Sequence, residues 1–294
     1  AKTLEGITKT GRTHLMDAMP VDFSDELLAW SSQLHASRKM LSVIEERFLE
    51  LPQGGTAVGS GINAHKQFAK FFAQELTKLS GNKCKCVPSG NFFHELSAQD
   101  SSVQLSGELK NLAVILMKIA NDLRWMNSGP LAGLSEIELQ ALQPGSSIMP
   151  GKVNPVIPEA VTMVSADVVG NDASITVAAQ AGNFQLNVML PVIAYNLLKS
   201  INLLAGAMNV LSTKAIKTFK VNKKNLEASL SRNPILVTAL NPIIGYEKAA
   251  EIAKKAYKSG RPIIEVANEE TDLSVAQLKK LLDPSKLTKG GISK

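Results

Sequence analysis

The chain has 294 residues, 45% of them apolar, 20% charged and only 5% aromatic. This balance excludes a disordered chain and calls for an aliphatic core, as packed helices rich in Leu, Ile, Val and Ala would make it. The net charge of +6 is spread along the chain without interleaved aromatics, which argues against nucleic acid as a partner and suits an anionic small molecule.

Residues 1–12 carry Lys2, Glu5 and Lys9 and lack the apolar core of a secretion signal. The first residue is Ala1 rather than Met, as in a processed product or a piece of a longer protein. Pro20 should break any helix entering from the N-terminal side, and Asp22 and Ser24 can cap the next one. Leu27, Trp30, Leu34, Leu41, Ile44, Phe48 and Leu51 share one seven-residue repeat that only Ser37 interrupts, so a packing helix runs to Pro52. Gly59-Ser60-Gly61-Ile62-Asn63-Ala64 fits a loose dinucleotide fingerprint. That fingerprint requires a strand before it, and here a helix precedes it, so a Rossmann reading is rejected.

His65 and Gln67 open a further helix to about Leu79, and residues 81–90 read as a loop. The loop holds Cys84 and Cys86, the only cysteines. One intervening residue makes an ordinary disulfide awkward, and without further Cys or a nearby His pair there is no structural zinc site. A reducing compartment is expected. Leu105, Leu109, Leu112, Leu116, Ile119, Leu123 and Met126 alternate steps of four and three, so a long helix is capped near Asp100 and Ser101 and ended by Ser128-Gly129-Pro130.

From Ala173 to Leu198 there is no Asp, Glu, Lys or Arg. Length alone would permit a membrane span, but Gln180, Asn183, Gln185, Asn187 and Asn196 would be costly in hydrocarbon. Helices buried on all sides, between subunits, are the expectation. Leu190, Ile193, Leu197, Ile201, Leu204, Met208 and Leu211 continue as one long helix. From Lys214 short helical patterns separated by Asn, Gly and Pro follow. Tyr246 to Lys258 reads as a charged, exposed helix, and the last residues as loosely held.

Between the long helices lies Gly145-Ser146-Ser147-Ile148-Met149-Pro150-Gly151-Lys152-Val153-Asn154-Pro155, with Glu159 shortly after. On composition it is a turn-rich surface loop. Lys152 and Asn154 also offer a charge and an amide just before a helix start, a combination that suits an anionic ligand.

This run resembles the signature of the fumarase/aspartase superfamily, whose members eliminate a group beta to a carboxylate. Lys9-Thr10-Gly11-Arg12-Thr13-His14-Leu15 and Gly54-Gly55-Thr56-Ala57-Val58-Gly59-Ser60-Gly61-Ile62-Asn63 are similar to two further family stretches. His14, where aspartases usually have Gln, and the segment 236–256 resemble the fumarase branch. The resemblance implies a mainly α fold, with a long-helix bundle over 1–213 and a small C-terminal helical domain over 214–294. It implies reversible hydration of fumarate to L-malate with no metal or organic cofactor. It also implies a homotetramer whose sites are shared between subunits, no nucleic acid or membrane partner, and a place in the cytoplasm, or in the mitochondrial matrix of a eukaryote.

Such chemistry needs a base for a weakly acidic proton, stabilisation of the carbanion and an acid for the departing hydroxyl. The resemblance assigns Ser146 as base on a mobile loop and Glu159 as the partner of His14. It places Thr13, Ser147, Lys152 and Asn154 around the substrate. Met16, Gln185 and Leu190 depart from the usual Gln, Glu and Lys or Arg. Family members also carry about a third more chain before the position of Lys9, including residues that hold the substrate carboxylates. The 294 residues alone are therefore expected to assemble but to be nearly inactive. Aspartate ammonia-lyase activity and a non-catalytic oligomeric core are the alternatives.

Overall fold

The computed structural model describes residues 1–145, 148–289 and 291 of the chain. After a short 3-10 turn come the strands β1 (Thr8–Thr13) and β2 (Met16–Asp22), then the helix α1 (Phe23–Arg47). β3 (Glu50–Leu51), α2 (Phe68–Leu79), β4 (Val87–Pro88), α3 (Phe92–Ser97) and α4 (Asp100–Met126) follow. β5 (Ile137–Glu138) precedes the two remaining long helices, α5 (Val156–Ala179) and α6 (Leu190–Leu211). β6 (Lys220–Val221), α7 (Lys223–Arg232), a 3-10 segment, α8 (Asn241–Ile244), α9 (Tyr246–Ser259), α10 (Ile263–Glu270), α11 (Val275–Leu281) and α12 (Pro284–Leu287) complete the chain. The protein is thus mainly α, as the seven-residue seams require, but among the described residues three pairs of strands occur that those seams do not announce.

The chain divides into two compact units, each assembled from separate stretches. Unit 1 comprises residues 1–31, 125–139 and 219–294. Here β1 and β2 form an antiparallel hairpin, with α7 packed on β1 and α12 on β2. Lys9 is 2% exposed, and its ammonium contacts Glu26 at 2.8 Å and Glu136 at 2.7 Å, while Arg12 reaches the other oxygen of Glu136 at 2.7 Å. Two cations and two carboxylates therefore close one network, which is how buried charge becomes tolerable. The Lys9 ammonium also lies 4.9 Å from the centre of the Phe23 ring, itself stacked on Phe219. The C-terminal helices bury a separate aliphatic cluster, including Leu240, Ile252, Val266 and Leu278. α9 carries its charges outward but sends Ala249, Ile252 and Ala256 into that cluster, so it is amphipathic rather than exposed all round.

Unit 2 comprises residues 32–124 and 140–218. The interruption of the α1 seam, Ser37, is 2% exposed and donates its hydroxyl to Glu108 of α4 at 2.6 Å. On α4, Leu109, Leu112, Leu116, Ile119 and Leu123 are all buried, each contributing roughly 1.5–3 kcal/mol by leaving water. α5 and α6 pack against each other. Asp172 of α5 accepts from Ser106 at 2.7 Å and from Lys110 at 2.6 Å, both on α4.

α6 forms over the expected stretch, and within the single chain its buried face mixes aliphatic and polar residues. Ile193, Asn196, Leu197, Ser200, Leu204, Ala207 and Leu211 are buried, whereas Leu190, Ile201 and Met208 are exposed. Asn171 of α5 donates to Ser200 at 3.2 Å, which gives the buried hydroxyl on that face a partner. Leu190–Ile216 is long and apolar enough to cross a membrane by length and composition, and a third of its most apolar window is buried in the chain.

Candidate active site

Thr13 and His14 owe their placement to the hairpin. Thr13 pairs with Met16, which leaves His14 and Leu15 as a two-residue turn with φ of 55° and 60°. Both residues are left-handed, the backbone of a type I′ turn, which matches the twist of the flanking strands. Turns of this kind usually use Asn and Gly, so the sequence gives no conventional turn signal. Lower in the hairpin the register shifts between Thr10 and Arg12, and Gly11 occupies the bulge. A Cβ there would lie 2.6 Å from the Met19 carbonyl oxygen. His14 is exposed at the tip, while Lys9 and Arg12 fix the base through Glu26 and Glu136. The hairpin therefore presents the imidazole on a strand pair anchored by buried charge.

The second group belongs to the other unit. Gly145 and Pro150 form an isolated antiparallel bridge, and the Lys152 amide donates to the Met149 carbonyl at 3.1 Å. Gly145 has a φ of 91°, and a Cβ on it would meet the Lys152 carbonyl oxygen at 2.4 Å. Only glycine lets the two arms of this loop approach so closely. Ser146 and Ser147 fall outside the described residues. Ile148 is 85% exposed and Lys152 is exposed, so both of these side chains face solvent.

Asn154 is half-buried at the foot of the loop, and its carbonyl accepts from the Val156 amide at 2.9 Å. α5 begins here, with Pro158 in the first turn, where a missing N–H costs little. Glu159 lies in the same turn and is half-buried. The structure thus brings Lys152, Asn154 and Glu159 to one loop-to-helix junction. It places Thr13 and His14 together on the hairpin of the other unit. Among the described residues no group of three or more His, Cys, Asp and Glu side chains is placed to hold a metal ion.

Comparisons with known proteins follow the same two regions. A family model described as Lyase matches residues 1–170, which includes both the hairpin and the loop, and one described as Fumarase C C-terminus matches residues 236–289. The chain belongs to this lyase family. A protein named Fumarate hydratase class II 2 from Pseudomonas aeruginosa is 62% identical to it over 292 residues, 99% of this chain and 63% of the relative. Fumarate hydratase class II from Xylella fastidiosa is 57% identical over 99% of this chain and 61% of its own length. The solved class II fumarase of Schistosoma mansoni superposes with a TM-score of 0.93 at 33% identity, covering 97% of this chain and 62% of that one. The chain therefore spans about six tenths of the length of the fumarate hydratases it matches.

Of the departures from the family pattern, Met16 is 68% exposed beside the turn of the hairpin. Gln185 is exposed between Asn183 and Leu186, which form an isolated bridge, and Leu190 is 42% exposed at the start of α6. Residues that the sequence did not single out include Arg12, Glu26 and Glu136, whose network holds the hairpin. No local signal marks them, because their partners are distant in the chain.

Proposed function

We propose that the chain carries the proton-transfer residues of a fumarate hydratase that interconverts fumarate and L-malate. The observation that carries this reading is the 62% identity to a protein of that name over 99% of the chain. His14 at the hairpin tip and the loop that starts at Gly145 support it.

In the dehydration direction Ser146 takes the proton from the carbon beside a substrate carboxylate. A serine hydroxyl is a poor base, so it must be held among donors and positive charge, which the closed loop and Lys152 supply. The electron pair left on carbon spreads into the carboxylate, and Lys152 and Asn154 oppose that growing charge with an ammonium and an amide. Ser147 and Thr13 hydrogen-bond the substrate and fix its orientation.

Glu159 accepts from one imidazole nitrogen of His14, which fixes the ring's orientation and leaves the other nitrogen for proton exchange. The other nitrogen gives its proton to the departing hydroxyl, and in hydration it takes one from water. The steps so assigned use side chains alone.

The domains of this reading are a central bundle over 1–213 and a C-terminal domain over 214–294. It also includes a homotetramer with shared sites, working in the cytoplasm without nucleic acid or membrane. Phe184 at 93%, Tyr195 at 67% and Leu198 at 60% exposure support assembly, since apolar surface of this extent in and beside the helices of a single chain is a surface for partners. Sedimentation should give a tetramer, and a stable, monodisperse monomer would contradict the assembly. The activity test supplies fumarate or aspartate to the chain joined to the N-terminal region of the Pseudomonas relative. Malate formation supports the reading, whereas ammonia release from aspartate without malate formation would replace it.

A further inference from the structure

Cys84 and Cys86 lie outside the region assigned above, and the structure gives their spacing a meaning that the sequence does not. Both are free thiols, Cys84 exposed and Cys86 half-buried. Fully extended, two successive residues span about 7 Å, at the upper limit of the Cα separation a disulfide bridges. The chain is not extended here. The Cys86 amide donates to the Cys84 carbonyl at 3.1 Å, a three-residue turn that draws the two Cα atoms within disulfide range.

The turn is held from both sides. The Cys84 amide donates to Ser80 Oγ at 3.1 Å and the Cys86 amide to Thr77 Oγ1 at 3.0 Å, so both cysteines hang on the C-terminal end of α2 and its capping residue. Immediately after, the Val87 amide donates to the Leu49 carbonyl at 2.8 Å as β4 joins β3. With the backbone held this way, little further ordering is needed for the two thiols to meet. The ring they would close is small and the site is exposed, and strained or exposed disulfides are the readily reduced ones. Lys83 and Lys85 are exposed and flank Cys84, which draws anionic reactants to it.

We propose that Cys84 and Cys86 form a redox-active dithiol that exchanges with anionic low-molecular-weight disulfides of the glutathione class and closes into an intrachain disulfide. In the first step one cysteine thiolate attacks a sulfur of the small disulfide, forming a mixed disulfide and releasing one small thiolate. The second cysteine then attacks the cysteine sulfur of the mixed disulfide, forming the Cys84–Cys86 bond and releasing the second small thiolate. Two protein thiols are oxidised, one small disulfide is reduced to two thiols, and the two cysteine protons end on those thiols. In a reducing compartment the pair rests as the dithiol and closes only when the oxidised small disulfide accumulates.

The test equilibrates the 294-residue chain with graded ratios of glutathione to glutathione disulfide, blocks free thiols by alkylation and measures intact mass. Wild type should lose both alkylatable thiols in a single transition with no lasting glutathione adduct. Cys84→Ser and Cys86→Ser should each retain one bound glutathione, because the resolving thiol is gone. Thr77→Val combined with Ser80→Ala, which frees the turn, should shift the wild-type midpoint by about fivefold toward more glutathione disulfide. Two glutathiones on wild type, dimers linked through these cysteines, or thiols that persist where the single variants already carry an adduct would each overturn the proposal, as would an unshifted midpoint in the double variant. None of these readouts depends on hydratase activity, so failure here leaves the catalytic reading standing.

Discussion

The ammonium of Lys9 sits 2.7 Å from Glu136 Oε2, and each of the two side chains is only 3% exposed. Removing one member leaves the others buried with unbalanced charge, so Lys9→Met should cost about 3 kcal/mol in urea unfolding. Lys9→Met combined with Glu136→Gln should cost clearly less than the sum of the two single changes, because charge is then balanced again between Arg12 and Glu26. Strict additivity would show that the network is not a unit.

The turn residue beside His14 offers a gain. Leu15 is held at a φ of 60° and is 64% exposed, so it contributes strain and little packing. Leu15→Gly should raise stability by about 1 kcal/mol by relieving the left-handed backbone. Thermal unfolding measures this, and a loss of stability would mean that the leucine side chain holds the turn.

His94 predicts a pH effect. Its ring lies 2.9 Å from Asp100 and 3.3 Å from Glu95, and the hydrogen bond to Asp100, then the charge of Glu95, raises its pKa above the ordinary 6.5. A pKa raised on folding contributes stability that is complete below about pH 6.5 and is lost as pH rises through the higher folded value. The ring is 41% exposed, so the contribution is less than about 1 kcal/mol. The stability difference between wild type and His94→Gln should therefore shrink from pH 5.5 to pH 8.5, roughly within the window this shift defines. A difference that grows with pH would reverse the assignment.

Gly145→Ala tests the loop without touching a reacting group. The added methyl would meet the Lys152 carbonyl, so the arms of the loop must separate and Lys152 must move. In the N-terminally extended protein turnover should fall by about 100-fold, the scale expected when a reacting geometry shifts by an ångström. Global unfolding should change little, since residues 148–153 of the loop are exposed. Unchanged turnover would mean that the closed arm geometry is dispensable.

Long helices were legible in the sequence because burial leaves a period. The α4 seam is the clearest case, with Leu109 through Met126 buried at every expected position and Leu105 half-buried. The hairpin was not legible. Its first strand carries Lys, Thr and Arg instead of alternating apolar residues, its second contains Pro20, and its turn is made by His14 and Leu15 without glycine or asparagine. On α6 the buried face also holds Asn196 and Ser200, polar positions that counting aliphatic residues does not pick out. The junction formed by Lys152, Asn154 and Glu159 could be picked out because lysine, amide and carboxylate cluster beside a glycine-rich loop. The Lys9 and Glu136 network could not, since no pattern in either segment announces a partner so far along the chain.

The most direct measurement follows fumarate by its ultraviolet absorbance with three proteins. These are the 294-residue chain, the chain joined to the N-terminal region of the Pseudomonas relative, and that joined protein carrying Ser146→Ala. The chain alone should consume little fumarate, because orientation of the substrate carboxylates supplies much of the rate. The joined protein should be active, and Ser146→Ala should lower its turnover by at least about 100-fold while sedimentation and unfolding stay unchanged. Equal turnover with and without the Ser146 hydroxyl, or no hydration of fumarate by the joined protein, would contradict the account.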